Sequence, residues 1–342
     1  MKNKSLYISL IGLMVFAFIA AGCGNKDKTP RKDRSAGNTS EILVVTQNAE
    51  QWNGGMGDSI RAFFTQEQYG LPQPEAIYRL LNVNVSNFSD LFKKHKAILV
   101  VEISSKLDSV LVETGKDLWA APQRVVKIVA PNQASWIEAF EKHKENIKLM
   151  YDIVERERIM SLLRPNTDAS LYDAIRKKFG FTLTVPRGFA IAKNDSDFMW
   201  LRRETDKSSF GIIIYAQPYS DTLQFDASNL VSTRDRVIAD KIPGPTDGSF
   251  MTTEKEFVPP LVNYVNNFPS GYAAEMRGMW CLVGDYMAGP FISYTFAHAG
   301  KLVTVEGFVY EPNAKKRDQL LQLQSILFSL SFQDEQVEQP TE

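Results

Sequence analysis

Pro290-Phe-Ile-Ser-Tyr-Thr-Phe-Ala-His-Ala-Gly-Lys-Leu-Val-Thr-Val-Glu-Gly-Phe-Val-Tyr310 holds two runs of β-branched and aromatic residues separated by Ala299-Gly300. Two residues are the commonest hairpin connection, and their length fixes the pairing. His298 is then expected opposite Lys301, Phe296 opposite Val303 and Tyr294 opposite Val305. Ile292, Tyr294, Phe296, Val303, Val305 and Val309 fall on one buried face, because side chains alternate along a strand. Tyr272–Val283 reads as a third long strand before the hairpin.

Working outward, Phe181–Val185, Phe189–Lys193, Phe198–Arg203 and Phe210–Tyr215 read as further strands. A helix is expected over Ala227–Lys241. The proline-rich stretch Ile242–Ser270 reads as loop. A closing helix begins near Asn313 and presents Leu320, Leu323, Leu327 and Leu330 on one side. In the first half, Glu41–Thr46, Ile77–Val85, Ala97–Ile103 and Arg124–Ala130 are apolar runs of strand length. Between them, helices are expected from Asp58 to Tyr69, with Asp58 as N-cap, and over Phe88–His95. Such alternation implies a sheet covered on both faces. Gln133–Leu163 is the most helical stretch, with Trp136, Phe140, Ile147, Met150, Val154 and Leu162 as apolar positions and Glu138/Lys142 and Asp152/Arg156 as spaced pairs. Arg164-Pro165 stops it, and a helix over Asp168–Phe179 ends at Gly180. The fold class is α/β or α+β: two mixed-sheet domains with flanking helices, at 41–165 and 166–332, the second strand-rich with a closing C-terminal helix.

The ends differ from this body. Lys2 and Lys4 precede an apolar run, Leu6–Ala20, and then Ala21-Gly22-Cys23. Basic start, short apolar middle and small residues are the parts of a secretory signal. With cysteine at the cleavage point, the stretch resembles the lipobox of bacterial lipoproteins, although Ala20 stands where leucine is more usual. The resemblance implies a signal peptide over 1–22 and lipidation of Cys23. Residues 23–40 are polar and basic and read as a flexible tether near an anionic membrane surface, and 333–342 as an acidic disordered tail. Gly24, not aspartate, follows Cys23, which by the enteric sorting rule implies the outer membrane, and the mixed charge after it, without the acidic run that resembles surface-export signals, implies a globule facing the periplasm.

The whole chain of 342 residues is 44% hydrophobic and 23% charged, with a formal net charge of −1, ordinary values for folded protein. Nothing in that balance points to nucleic acid. With Cys23 acylated, Cys281 has no disulfide partner, and its apolar neighbours imply a buried, inert thiol.

Chemical motifs are sparse. Gly54-Gly55-Met56-Gly57 sits between strand and helix but lacks the Lys-Ser/Thr of a phosphate loop, and Ile60 spoils the dinucleotide pattern. A turn into a capped helix explains it better. A speculative ligand-binding set is Trp52, Gly54, Gly55, Gly57 and Asp58, with Trp52 as a stacking platform or a lid on the core. The three histidines, His95, His143 and His298, have no ligand at metal spacing, and the first two are placed on solvated helix faces. Cys281 and His298 are too far apart for a dyad, with Cys281 expected opposite about Ser293. Asp195-Ser-Asp197 reads as a β-turn. Arg176-Lys-Lys178 suits a helix C-terminus, and Lys315-Lys-Arg317 reads as solvated surface. No catalytic set, metal or cofactor is expected.

Trp52-x-Gly54, Gly57-Asp58-x-Ile60-Arg61, Leu71-Pro-x-Pro-Glu75 and Val305-x-Gly307-x-Val309-Tyr310-x-Pro312 together resemble a family of Gram-negative envelope lipoproteins classified only as a domain of unknown function. Phe181-Thr-Leu-Thr-Val-Pro186-x-Gly188-Phe189 and the hairpin-plus-helix ending resemble PsbP/Mog1-type α/β sandwiches. The expected function is a non-catalytic, membrane-anchored envelope lipoprotein that binds an envelope protein partner. A glycan- or peptide-binding lipoprotein is the alternative, with a small ligand at the Trp52 loop, and an unrecognised hydrolase is third.

Overall fold

In a computed structural model, residues 32–332 are described; Cys23, the signal and the acidic tail lie outside them. The first half forms a five-stranded sheet from β1 (Glu41–Thr46), β2 (Arg79–Asn84), β3 (Ala97–Ile103), β4 (Leu111–Lys116) and β5 (Arg124–Ala130). Its order is β2-β1-β3-β5-β4, parallel except for β4. The strand β4 was not legible in the sequence. Its side chains are half to fully exposed, so an edge position replaces the apolar run that marks a central strand.

Ile42, Val44, Leu99, Val126 and Ile128 face α2 (Gly55–Phe64), which follows the short α1 (Ala49–Asn53), and α4 (Gln133–Leu163). Leu43, Val45, Val83, Ile98 and Val125 pack on the other face against Phe88 and Phe92, the latter in the short α3 (Asp90–Lys93). The continuous apolar runs are thus buried on both sides, as their composition requires. Asn132 caps α4 by accepting from the Ser135 amide at 3.0 Å. Trp136, Phe140, Ile147 and Val154 are buried along α4, but Leu162 is half exposed and Met160 takes the core position near its end. Asp152 pairs with Lys148 at 2.7 Å, not with Arg156, whose guanidinium lies over the Phe328 ring at 4.0 Å.

In the second half, α5 (Ala169–Phe179) is capped by Asp168 and ends at Gly180, whose φ of 77° is left-handed. The strands are β6 (Phe181–Thr182), β7 (Ala190–Asp195), β8 (Phe198–Glu204) and β9 (Ser209–Pro218), then α6 (Ala227–Lys241). After it come β10 (Phe250–Thr253), β11 (Leu261–Phe268), β12 (Gly271–Val283), β13 (Ala288–His298), β14 (Lys301–Tyr310), α7 (Arg317–Leu327) and β15 (Ser331–Phe332). The large sheet runs β10-β12-β13-β14-β9-β8-β7, with β11 also on β12, and β15 pairs with β6. Helices α5 and α7 cover one face and α6 the other. The chain is therefore α+β, with one mixed sheet, one large antiparallel sheet and the small antiparallel pair of β6 and β15.

The hairpin register is as expected: His298 faces Lys301, Phe296 faces Val303 and Tyr294 faces Val305. All six residues assigned to its buried face lie in one core. The stretch Ile242–Ser270 is not all loop. β10 and β11 lie within it, and β11 escaped notice because it is an edge strand with mostly exposed side chains. The turn before β13 is tighter than expected, so Cys281 faces Ala288, not Ser293. That moves it ten residues along from His298, roughly 34 Å of strand.

Beneath α6, Arg234 and Glu306 form a two-pronged pair at 2.8 and 2.6 Å, both side chains wholly buried. Arg234 also donates to Thr253 at 2.7 Å and lies 3.6 Å from the Phe291 ring centroid. This ties α6 to β14 and β10. Replacing Glu306 with Leu leaves the buried guanidinium unpaired and is expected to cost about 3–5 kcal/mol in urea unfolding. At the hairpin turn, Ala299 and Gly300 both take left-handed backbone, φ 47° and 73°. Ala299→Gly is expected to raise stability by about 0.5–1 kcal/mol, read as a higher urea midpoint at unchanged slope.

Candidate functional site: an aromatic cleft on the second sheet

The glycine run does not form a loop. Gly54 closes α1 and opens α2, and Asp58 lies inside α2 instead of capping it, paired with Arg61 at 2.6 Å. Gly57 is there because a Cβ would sit 1.8 Å from the Trp52 carbonyl oxygen, and at Gly55 one would come within 2.9 Å of Gln133. Trp52 is half-buried against the first core, with the Arg61 guanidinium 4.6 Å from its ring and donating to its carbonyl at 2.8 Å. The structure thus brings Trp52, Gly54, Gly55, Gly57 and Asp58 together as a tight junction of two helices.

His95 is buried, not solvated: its Nε2 lies 3.2 Å from Glu41 and its Nδ1 2.9 Å from the Ala97 carbonyl. Burial and the charge of Lys96 lower its pKa. Burial pushes the Glu41 carboxyl up, but two hydrogen bonds from Asn38 and one from His95 outweigh it and hold it at about 2. Cys281 is free and half-buried, less enclosed than its neighbours imply, and desolvation and Glu254 raise its thiol pKa. Asp195-Ser-Asp197 does form the turn between β7 and β8.

Lys316 and Arg317 are buried, not solvated. Glu75 reaches across from the first half and accepts from their backbone amides at 2.7 and 3.2 Å, capping α7. Arg317 returns a bond to the Ala76 carbonyl at 2.6 Å. The arm carrying Glu75 also places Tyr69 on the Pro259 carbonyl, Gly70 against Gly278 and Leu71 in the second core. Behind it lies a polar chamber of ≈60 Å³ lined by Tyr78, Asp152, Glu155, Arg156, Arg277 and Gln324. That volume suits one or two waters, not a substrate.

A concavity larger than this chamber lies elsewhere. Trp200, Trp280, Phe308, Met251 and Leu282 line an apolar cleft of ≈300 Å³, rimmed by Pro243-Gly244-Pro245. Four strands supply its floor, and the chain leaving α6 supplies its wall. Trp280 packs edge-on to Phe308 at 5.6 Å and donates to the Val309 carbonyl at 3.2 Å. Gly244 donates to the Ser249 carbonyl at 2.8 Å, holding the rim in place. The cleft shares Arg202, Ser209, Met287 and Tyr310 with a neighbouring trough of ≈590 Å³ that runs between Glu204–Ser209 and Glu311–Ala314. Preformed apolar concavities of this size are the usual form of a binding site. Sequence reading missed it because Trp200 and Trp280 lie on apolar strands and read as core. The Pro243-Gly-Pro245 run was the one visible signal, and pairing between distant strands does the rest.

Residues 35–164 match a family model described as Domain of unknown function (DUF8532), and residues 168–329 match Domain of unknown function (DUF4837). No curated protein matches. Among solved structures, a crystal structure of LpqN, described as involved in cell envelope biogenesis of Mycobacterium tuberculosis, is similar at 9% identity. It covers 44% of this chain and 82% of its own at a TM-score of 0.26, too slight a likeness to carry an argument. No helix among the described residues is long and apolar enough to cross a membrane.

Two outcomes test this geometry. Glu75→Ala leaves the first turn of α7 without its carboxylate cap and is expected to cost about 1–3 kcal/mol in urea unfolding. For acid sensitivity, both His95 and Glu41 have folded pKa values below their unfolded ones, so each contributes stability above the unfolded pKa. His95 is expected to lose its share as pH falls below 6.5, and Glu41 between 4.5 and about 2, measured as unfolding midpoints across that range.

Proposed function

We propose that this chain is a non-catalytic lipoprotein of the bacterial envelope, anchored through Cys23, whose two domains, divided near Pro165, act by binding another protein. The observation that carries this reading is the aromatic cleft with its trough, open on a sheet whose other face is covered by α5 and α7. The buried ionisable groups support it from the other side. Arg234–Glu306, Lys96–Glu155 at 3.3 Å and His95–Glu41 each join elements of the fold instead of converging on the cleft. A permanent anchor would confine the cleft near the membrane and raise its local concentration for partners held there.

Placement at the outer membrane is supported by Gly24 after Cys23 under the sorting rule, and a globule facing the periplasm by the mixed charge that follows, without an acidic run. Cys23→Ser is expected to leave an uncleaved, unacylated precursor, read by intact mass and by membrane fractionation. In cells, crosslinking of the lipidated protein is expected to recover a defined envelope protein. Normal processing of Cys23→Ser, or recovery of nothing above background, would sink the proposal.

A further inference from the structure

We infer that the chain pairs with a second copy of itself along β11, antiparallel about a two-fold axis, with Asn263 opposite its own copy. This goes beyond the proposed function and does not rest on the cleft. β11 pairs with β12 on one side, and its other side meets no backbone among the described residues. An exposed edge is a template for another strand, and proteins commonly guard it with charge, proline or a bulge. The other long edges are guarded in this way. β2 starts with Arg79, β4 holds Glu113 and Lys116, and β7 holds Lys193, Asp195 and a bulge. The short β10 is closed on its free side, where Met251 donates to the Ile242 carbonyl at 3.0 Å and the Thr253 amide donates to Asp235 at 2.9 Å. β11, Leu261-Val-Asn-Tyr-Val-Asn-Asn-Phe268, has neither a charged residue nor a proline, and its bulge is confined to the end beyond Val265.

The order of residues about the middle of β11 selects a second copy. Its regular part runs from Leu261 to Val265. Alternate residues turn their amide and carbonyl outward, so an antiparallel neighbour can oppose only residues of like parity. A two-fold pairing of identical strands therefore sets one residue against its own copy, and the middle of the regular part is Asn263. In that register Leu261 opposes Val265 of the second copy, and Val262 opposes Tyr264. Apolar residues match on both faces, and the Asn263 amide meets an amide that can give and accept a hydrogen bond at once. Leu261 and Tyr264 are 42% and 51% exposed in the single chain, and the match covers them. Tyr264 is already held in place, its hydroxyl donating to the Phe225 carbonyl at 3.0 Å and its ring parallel to that of Tyr272 at 6.0 Å. A foreign strand would have to carry a complementary order of residues, whereas the copy has it by symmetry.

The experiment follows sedimentation of the chain from Gly24 onward over a range of concentrations, and a reversible dimer is expected. Asn263→Lys sets two ammonium groups against each other on the axis and is expected to weaken the dimer by at least about tenfold. Asn263 is exposed, so the urea midpoint of the diluted variant is expected to stay unchanged. In a Cys281→Ser background, Asn263→Cys is expected to form a disulfide-linked dimer on mild oxidation, because residues directly opposite bring their Cβ atoms within reach of that bond. Asn266→Cys, on the same strand but without its own copy opposite, is expected to stay unlinked. A monomer at every concentration, or a dimer that Asn263→Lys leaves equally tight, overturns the inference. Linking of Asn266→Cys as readily as Asn263→Cys overturns the register and with it the pairing argued from it. In cells, a lipidated Asn263→Cys chain that links to a different protein instead of to itself overturns the inference in favour of a foreign strand.

Discussion

The carboxylate of Glu75 at the start of α7 is the contact on which the arrangement of the two halves depends. A helix N-terminus has amides without partners inside the helix, and lysine at the N-cap gives them no side-chain acceptor. The acceptor comes from about 240 residues earlier, and the macrodipole of α7 adds to the attraction. Because α7 in turn lies on β13 and β14, the arm fixes the first half to the second sheet through this helix as well as through its own contacts at Tyr69, Gly70 and Leu71. Gly307 completes the seat: a Cβ there would come within 2.8 Å of Leu323. Helix α4 closes the stack from the other side by packing on both its own sheet and α7.

Two buried ion pairs show a second constraint. Arg234–Glu306 and Lys96–Glu155 each join a helix to the chain around a sheet, and each has both partners almost fully enclosed. Burial raises the pKa of Glu155 and lowers that of Lys96, in both cases against the charged form. Such pairs add little net stability over apolar packing but tolerate no single loss. They specify where α6 and α4 sit more than they hold them there.

The elements most legible in the sequence were those whose burial repeats with a simple period. The hairpin register, the ends of α4, α5 and α6, and the strands β1, β2, β3 and β5 of the first half could be read because side-chain alternation, apolar runs or helix caps mark them. β4 and β11 could not, since edge strands carry polar residues and have no pattern to reveal. The glycine run was misleading for a related reason: Gly54, Gly55 and Gly57 answer to close contacts, not to open turns. Lys316 and Arg317 looked solvated because charge normally is, and only the distant Glu75 explains their burial. The motif Leu71-Pro-x-Pro-Glu75 was visible as a motif, but its role as a clasp exists only in three dimensions. The cleft is the extreme case, assembled from β8, β10, β12 and β14 with no local sign beyond two prolines.

The route by which the chain enters the fold has a mechanical side. Residues 33–36 are laced to the first half alone, through Ser35 to the Ala121 carbonyl at 3.2 Å, Ala36 to the Lys94 carbonyl at 2.8 Å and Ala121 to the Asp33 carbonyl at 2.9 Å. The cleft is in the other half. Under the proposed function, a pull between an anchored N-terminus and a partner in the cleft would enter through the first half and pass to the second along α4 into α5 and through the contacts with α7. The clasp then shares that load in parallel with the chain running from α4 into α5 and with the packing of α4 on α7, and it resists the two halves hinging apart about that connection.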